Sequence, residues 1–299
     1  MKSNLIYWAY ALAWKLTRLL PERIVYKSAN QIADWIFARN GKSVQRLRSN
    51  YGRIRRELNL SELDALTKLG MRSYLRYWCD TFRFPNWSRE KTISSVVVEN
   101  EHFLRDPIAR GQGCIVSLPH SGNWDHAGAY FCETGISLTT VAEHLEPEKL
   151  FRKFLEFRQA IGMEVLDLDS RVIAVLAQRL RAGKLVALVA DRDLSQSGVE
   201  VSFAGGQARM PAGPAILALQ TGATLITAFV QYEKRGIRII FDEPIVAPSG
   251  GTQSERVAAM VQECASRFEK QIREATQDWH MLQRIWIDGD FRERDKSTR

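Results

Sequence analysis

A histidine and an aspartate stand five residues apart, directly after an apolar run. The run Cys114–Leu118 has the composition of a buried strand, and a glycine-containing turn with His120 and Asp125 follows it. Because Asp125 would fall in the first turn of a helix, its carboxylate could accept a hydrogen bond from one ring nitrogen of His120. The other ring nitrogen would then be free to take a proton from a hydroxyl. The pattern predicts general-base chemistry by His120, with Asp125 as the group that orients it.

Two other chemistries are open to the same stretch. Ser121 or Ser117 could carry an acyl-enzyme, although the chain has no G-x-S-x-G turn. His120, Asp125 and His126 are all possible metal ligands, but no further cluster of such residues supports them. We favour a base that activates the hydroxyl of a bound acceptor. We expect neither a metal nor a cofactor, and we expect His126 to serve packing or to lie at the surface.

The elements that must position these residues follow an alternating pattern. Helical stretches alternate with short β-rich runs. These β-rich runs lie at 93–98, 113–118, 138–142, 163–166, 185–190, 223–231 and 237–241. Alternation of this kind predicts an α/β fold with a largely parallel central sheet flanked by helices. Ligands of such sheets bind outside the carboxyl ends of the strands, where His120 would lie. We expect a single domain over 1–299, with a helical part at 1–90 and an α/β core at 91–290.

The helical N-terminal part carries the basic character of the chain. The net charge is +8, and residues 1–56 hold twelve Lys and Arg against two acids. Four helices are predicted, at 4–20, 25–39, 43–58 and from Ser61 onward. The first has an aromatic and aliphatic face beside Lys and Arg, which is typical of a helix lying in a membrane interface or packed on its own domain. We expect an anionic membrane surface as partner, and no nucleic acid, because the remaining chain is near neutral.

The length of the apolar runs and the spacing of the cysteines bear on where in the cell the protein acts. No apolar run approaches the roughly 18 residues that a spanning helix needs. Four cysteines lie in apolar or helical surroundings without C-x-x-C spacing: Cys79, Cys114, Cys132 and Cys264. They are expected to be reduced and buried, as in a cytosolic protein.

The stretch from Leu118 to Asp125 resembles the H-x4-D motif of the bacterial lipid A late acyltransferase family. Within that family it resembles more closely the actinobacterial phosphatidylinositol mannoside acyltransferases. The resemblance extends over about 39–286 and rests on five blocks in order, the other four being 141–147, 154–158, 190–195 and 198–214. It implies transfer of a long-chain acyl group, palmitoyl, from acyl-CoA to a mannose hydroxyl of phosphatidylinositol mannoside. The enzyme would act at the cytoplasmic face of the plasma membrane as a peripheral protein.

The resemblance also implies roles for residues outside the first motif. With His120 as base and Asp125 as its partner, Asp191 would be a third catalytic carboxylate, with the register between Asp191 and Asp193 left open. Arg158 or backbone N–H groups would stabilise the oxyanion. The expected substrate contacts are Asn123, Glu143, His144, Arg158, Arg192, Asp193 and Arg209. Among these, Glu143 and His144 would bind sugar hydroxyls and Arg209 a phosphate, while a deep apolar pocket would take the chain.

Three alternatives to this function stay open from the sequence. The first is an acyltransferase for lipid A or another glycolipid that takes its acyl group from acyl carrier protein. The second is a thioesterase or lipid hydrolase in which water replaces the acceptor. The third is a protein without catalytic activity that uses only its basic helices to bind anionic membranes or nucleic acid.

Overall fold

The computed structural model describes residues 2–142, 148–168, 171–193 and 197–288 of the chain. Four helices come first: α1 (Lys2–Leu19), α2 (Glu22–Ala38), α3 (Lys42–Ile54) and α4 (Leu60–Arg83). Pro21 separates the first two, and Asn59 begins α4 with a side chain that accepts from the Glu62 N–H. These four helices occur within a few residues of the predicted positions. No helix in the described ranges is long and apolar enough to cross a membrane.

A seven-stranded sheet forms the centre of the remaining chain. Its strands are β1 (Val96–Glu99), β2 (Cys114–Leu118), β3 (Leu138–Ala142), β4 (Glu164–Asp167), β5 (Leu185–Val189), β8 (Thr224–Tyr232) and β9 (Ile237–Phe241). Across the sheet they run in the order β1-β9-β8-β2-β5-β3-β4. The five strands from β8 to β4 are mutually parallel, whereas β9 pairs antiparallel with β8 and β1 runs with β9. The prediction of an α/β fold with a largely parallel sheet is confirmed.

Helices cover both faces of the sheet. They are α5 (Arg89–Ser94), α6 (His102–Ala109), α7 (Trp124–Glu133), α8 (Glu148–Ala160), α9 (Val172–Arg181), α10 (Gly213–Thr221) and α11 (Gln253–Glu274). Because successive residues of a strand point to opposite faces, Ile115 and Val186 pack with α9, α10 and α11, whereas Val116 and Leu185 pack with α6 and α7. The second of these faces carries the cavity described below.

Two local features differ from the sequence-based prediction. The run 93–98 was predicted as a strand, but its first two residues end helix α5, which Ser88 caps by accepting from the Lys91 N–H. The hairpin of β6 (Val199–Phe203) and β7 (Gly206–Met210) was not predicted. Its turn places Ala204 and Gly205 at positive φ, the conformation that a two-residue hairpin turn requires.

The segment after α11 returns to the N-terminal helices. The Asn50 side chain donates to the carbonyl groups of Met281 and Gln283 at 2.7 and 2.9 Å and accepts from the Trp286 indole at 2.9 Å. The Tyr51 hydroxyl donates to the Trp279 carbonyl at 2.9 Å. These bonds fix Trp279 beside the carboxyl ends of the strands. Three of the four cysteines are buried, Cys132 is half-buried, and all four are free thiols.

Candidate active site

The central pair of the site is His120 and Asp191. His120 follows the carboxyl end of β2, and Asp191 follows the carboxyl end of the neighbouring strand β5. Leu118 lies opposite Val189 in the parallel register, so the residues two positions further along lie side by side. Nδ1 of His120 is 2.6 Å from Oδ1 of Asp191. The strand order therefore brings together two residues that are 71 positions apart.

Asp191 is fully buried, and three hydrogen bonds hold its carboxylate. Besides the ring of His120, Oδ2 accepts the His120 backbone N–H at 3.0 Å and the Trp279 indole N–H at 2.8 Å. Burial favours the neutral acid, but the nearby His120 and the hydrogen bonds from His120 and Trp279 outweigh it and lower the pKa of the Asp191 carboxyl. An ionised Asp191 accepts a hydrogen bond from Nδ1–H of His120. Nε2 of His120 then keeps its lone pair.

Asp125 does not contact His120 in this way, contrary to the sequence-based expectation. It lies buried in the first turn of α7, where Oδ1 accepts from Nε of Arg158 at 2.8 Å and Oδ2 from the Tyr77 hydroxyl at 2.8 Å. Helix α7 directs the Asp125 carboxylate toward Tyr77 of α4 and Arg158 of α8. The partner of His120 is Asp191, which follows strand β5. The expected hydrogen bond between Asp125 and His120 is thus corrected to one between Asp191 and His120.

Asp125 is buried, whereas the Arg158 side chain is 20% exposed. Burial disfavours the charged guanidinium, but the charge of Asp125 and the nearby Tyr77 outweigh it and raise the pKa of Arg158. Burial, followed by the charge of Asp125, raises the pKa of the Tyr77 hydroxyl. Arg158 therefore stays a cation whose fork faces Asp125, and its hydrogen bonds join α7 to α8.

His280 lies beside His120 and was not predicted from the sequence. Its backbone N–H donates to the His120 carbonyl at 2.7 Å, and its ring Nε2 is 2.9 Å from the hydroxyl oxygen of Ser73. Burial, followed by the influence of His120, lowers the pKa of His280 to about 3, so the ring is neutral at ordinary pH. The only sequence signal was that His280 is one of five histidines in the chain, because nothing local links it to a residue 160 positions earlier.

Asn123 and His126 serve the start of α7. The Asn123 side chain accepts the His126 N–H at 2.9 Å and so caps the helix, and both residues are buried. Nε2 of His126 lies 3.0 Å from the Thr92 carbonyl, and burial lowers the pKa of its ring to about 4. His126 thus lies in the packed interior and not at the surface. Asn123 was predicted to contact substrate; its side-chain oxygen forms this cap.

Neither alternative chemistry gains support from the geometry. Ser121 is fully buried, and its hydroxyl oxygen accepts the Val230 N–H at 3.2 Å. Within the described ranges, no three His, Cys, Asp or Glu residues lie close enough together to hold a metal ion.

Of the other predicted substrate contacts, two lie outside the described residues and three lie on or beside the turn that carries Asp191. Glu143 and His144 lie outside the described residues. Arg209, on β7, pairs with Glu200 at 3.1 Å, and its carbonyl accepts the Asp193 N–H at 2.7 Å. Arg192, between the two aspartates, lies near enough to Tyr74 for its charge to act on that hydroxyl. The hairpin of β6 and β7 therefore packs directly against the turn that carries Asp191.

An apolar cavity lies between the sheet and α7. Trp124, whose ring centroid is 5.6 Å from that of His120, lines it at the end near the base. The deeper walls are apolar side chains: Val116, Ala127, Phe131, Leu138, Met163, Leu185 and Ala187. The charged residues of its lining, Asp125 and Arg158, neutralise each other. An apolar cavity that begins beside a histidine base suits a substrate with a hydrocarbon tail.

Comparison with known proteins identifies the class to which this fold and site belong. A family model described as "Bacterial lipid A biosynthesis acyltransferase" matches residues 1–287. The chain belongs to this family and is an O-acyltransferase. The resemblance drawn from the five sequence blocks is thereby confirmed.

Two mycobacterial relatives carry the same name. The phosphatidylinositol mannoside acyltransferase of Mycobacterium tuberculosis is 39% identical over 285 residues, which cover 94% of this chain and 88% of that protein. The phosphatidylinositol mannoside acyltransferase of Mycolicibacterium smegmatis is 39% identical over 281 residues, covering 93% of this chain and 90% of that protein.

Proposed function

We propose that the protein transfers a long-chain acyl group, palmitoyl, from acyl-CoA to a mannose hydroxyl of phosphatidylinositol mannoside. The names of the relatives support this acceptor. The observation that carries the chemistry is the 2.6 Å contact between His120 Nδ1 and the buried Asp191, at the end of an apolar cavity.

In the proposed reaction, Nε2 of His120 acts as the general base. The mannose hydroxyl oxygen bonds to the thioester carbonyl carbon while its proton passes to Nε2. The resulting imidazolium is stabilised by the ionised Asp191 through Nδ1–H. When the tetrahedral intermediate collapses, the carbon–sulfur bond breaks, and the departing CoA sulfur takes the proton from Nε2. The ester forms without a covalent enzyme intermediate, and His120 returns to its starting state.

Charge on the thioester oxygen needs hydrogen-bond donors during this step. Arg158 is committed to Asp125, so it is the weaker of the two predicted donors. The amino end of α7 lies next to His120, and the first N–H groups of a helix have no acceptor within the helix. The backbone N–H groups of Trp124 and Asp125 are therefore the donors that we propose for the oxyanion. The positive end of the helix dipole adds to their effect.

Binding to an anionic membrane surface would give the enzyme access to its lipid acceptor. Helix α1 exposes Leu12, Leu16 and Leu19, and α2 exposes Ile32 and Trp35. Arg39 stacks on the Trp35 ring at 3.9 Å, which joins a cation to this apolar surface. Together with the excess of Lys and Arg in residues 1–56, these side chains support peripheral binding, which we place at the cytoplasmic face of the plasma membrane.

The test is product analysis by mass spectrometry. Purified protein is mixed with palmitoyl-CoA, with and without phosphatidylinositol mannoside, beside a His120→Ala variant whose folding is checked by circular dichroism. We expect one added palmitoyl group in the complete mixture and none with the variant.

Other results would contradict the proposal in distinct ways. Release of free palmitate at the same rate without the acceptor would make the protein a thioesterase. Turnover only with acyl carrier protein as donor would reject acyl-CoA. Acylation of a different glycolipid, with phosphatidylinositol mannoside left unchanged, would reject the acceptor.

A further inference from the structure

Met163 and Gly128 meet inside the apolar cavity. Met163 is buried between α8 and β4, and its N–H donates to the Arg158 carbonyl at 3.1 Å. A Cβ atom placed on Gly128 would lie 2.1 Å from Cε of Met163 and 3.2 Å from its sulfur. The methyl end of Met163 therefore fills the notch that Gly128 leaves in α7.

This contact lies at the end of the cavity away from the base. Glu164 pairs with Thr139 in the parallel register of β3 and β4, so Met163 is level with Leu138 at the amino ends of the strands. His120 follows a carboxyl end, on the opposite edge of the sheet. Leu138 also lines the notch, 3.7 Å from the same Cβ position. Met163 and Leu138 thus close part of the deep end of the cavity.

The cavity is small for a long acyl chain. The cavity has a volume of about 80 Å³. A cavity of about 150 Å³ holds a single benzene molecule. A longer chain must displace a side chain of the lining. Methionine has three rotatable side-chain bonds and adapts to irregular gaps, so Met163 is the wall residue best able to move.

We propose that Met163, seated against Gly128, sets the length of the acyl chain that the enzyme accepts. This inference rests on the acyl transfer proposed above. A chain that reaches the deep end competes with the Met163 methyl for the notch at Gly128. Two substitutions therefore act in opposite directions. Met163→Ala opens the deep end, whereas Gly128→Ala fills the notch and pushes the thioether into the cavity.

The experiment measures kcat/KM for acyl-CoA donors from C10 to C20 at a fixed acceptor concentration. We expect Met163→Ala to move the preferred length two to four carbons longer, and Gly128→Ala to move it shorter. Burial of one methylene changes affinity about fourfold, so two methylenes change the ratio of long to short donors by about 15-fold. Met163→Leu, which keeps the volume, gives a smaller shift and serves as the second variant if the alanine variant does not fold.

The matched control is Met260→Ala, a buried methionine of α11 on the other face of the sheet. It removes the same atoms and is expected to leave the order of preference unchanged. Direct binding of the same acyl-CoA series, measured by calorimetry, reports chain length without turnover. If the wild type transfers no acyl group, the proposed function fails while binding still tests the inference. Unchanged length profiles in both Met163 variants and in Gly128→Ala, or no binding of any acyl-CoA, would overturn it.

Discussion

The indole N–H of Trp279 donates to the same oxygen of Asp191 that accepts the backbone N–H of His120. The two bonds fix Oδ2 and leave Oδ1 aligned with Nδ1 of the His120 ring. One carboxylate oxygen is thus held by the fold and the other is presented to the base. The orientation of His120 depends on this division.

Replacing Asp191 by asparagine tests the pair. The amide keeps the shape of the carboxylate but can donate to Nδ1, which favours the wrong tautomer and removes the charge that stabilises the imidazolium. We expect Asp191→Asn to lower kcat about 10²–10⁴-fold with a native circular dichroism spectrum. Asp106→Asn, which changes an exposed aspartate of α6, is the control and should stay within about twofold of wild type. A fall of less than threefold for Asp191→Asn would reject its role.

Asp125 is expected to act through stability. Asp125→Ala leaves the Arg158 guanidinium, which is 20% exposed, without its carboxylate partner, and this costs about 3 kcal/mol of unfolding free energy, the lower end for a buried pair. The double variant with Arg158→Leu removes both charges and should recover part of that loss. Urea unfolding measures both effects. Equal stability of the single and double variants would contradict the pairing, as would a single variant as stable as wild type.

Two buried histidines predict a loss of stability in acid. The pKa of His126 is lowered by burial to about 4 and that of His280 to about 3, whereas both are near 6.5 when unfolded. The unfolded chain binds the extra protons first, so their contribution is complete above pH 6.5 and falls as the pH drops toward about 4 and about 3. Each group contributes about 1.4 kcal/mol per pH unit within its window. Urea unfolding at several pH values gives the free energy of unfolding as a function of pH. Between pH 6.5 and about 4, this free energy should fall less steeply for His126→Gln than for wild type. Equal slopes for the two proteins would contradict the prediction.

The exposed apolar side chains of α2 give a prediction for membrane binding. Ile32 and Trp35 are 52% and 55% exposed. Ile32→Asp and Trp35→Ala should each weaken sedimentation with vesicles of anionic phospholipid, by about tenfold, because each loses apolar area in the interface. Val246→Asp alters another exposed aliphatic residue, 84% exposed and outside the first two helices, and should bind like wild type. Equal loss in all three variants would argue against a specific docking face.

The local sequence pattern predicted most of the helices and strands and the position of His120, but not the contact of His120 with Asp191. Strands β3 and β9 occur at the predicted residues, because β-branched and aliphatic side chains recur there between clear turns. The place of His120 at a strand end was also predicted. Its pairing with Asp191 depends on β2 and β5 being neighbours in the sheet, and sequence alone does not give strand order. Sequence spacing instead favoured Asp125, the nearest carboxylate along the chain.

The hairpin of β6 and β7 shows a different limit. Val201 and Phe203 are buried while Glu200 and Ser202 between them are exposed, so the alternation typical of a strand was present in the sequence. The interpretation of this region rested on resemblance to a family block, and the period of two was overlooked. His280 and Trp279 had no such local signal, because long-range contacts alone bring them to the site.

Trp279 has a consequence for the order in which the enzyme matures. During synthesis, His120 and Asp191 leave the ribosome well before residue 279. Until that residue docks, the Asp191 carboxylate lacks its indole donor, and the bonds from Asn50 and Tyr51 to the returning segment are also missing. A nascent or prematurely terminated chain would therefore lack one of the three hydrogen bonds that hold Asp191 against His120. The complete catalytic pair would form only after translation has passed Trp279.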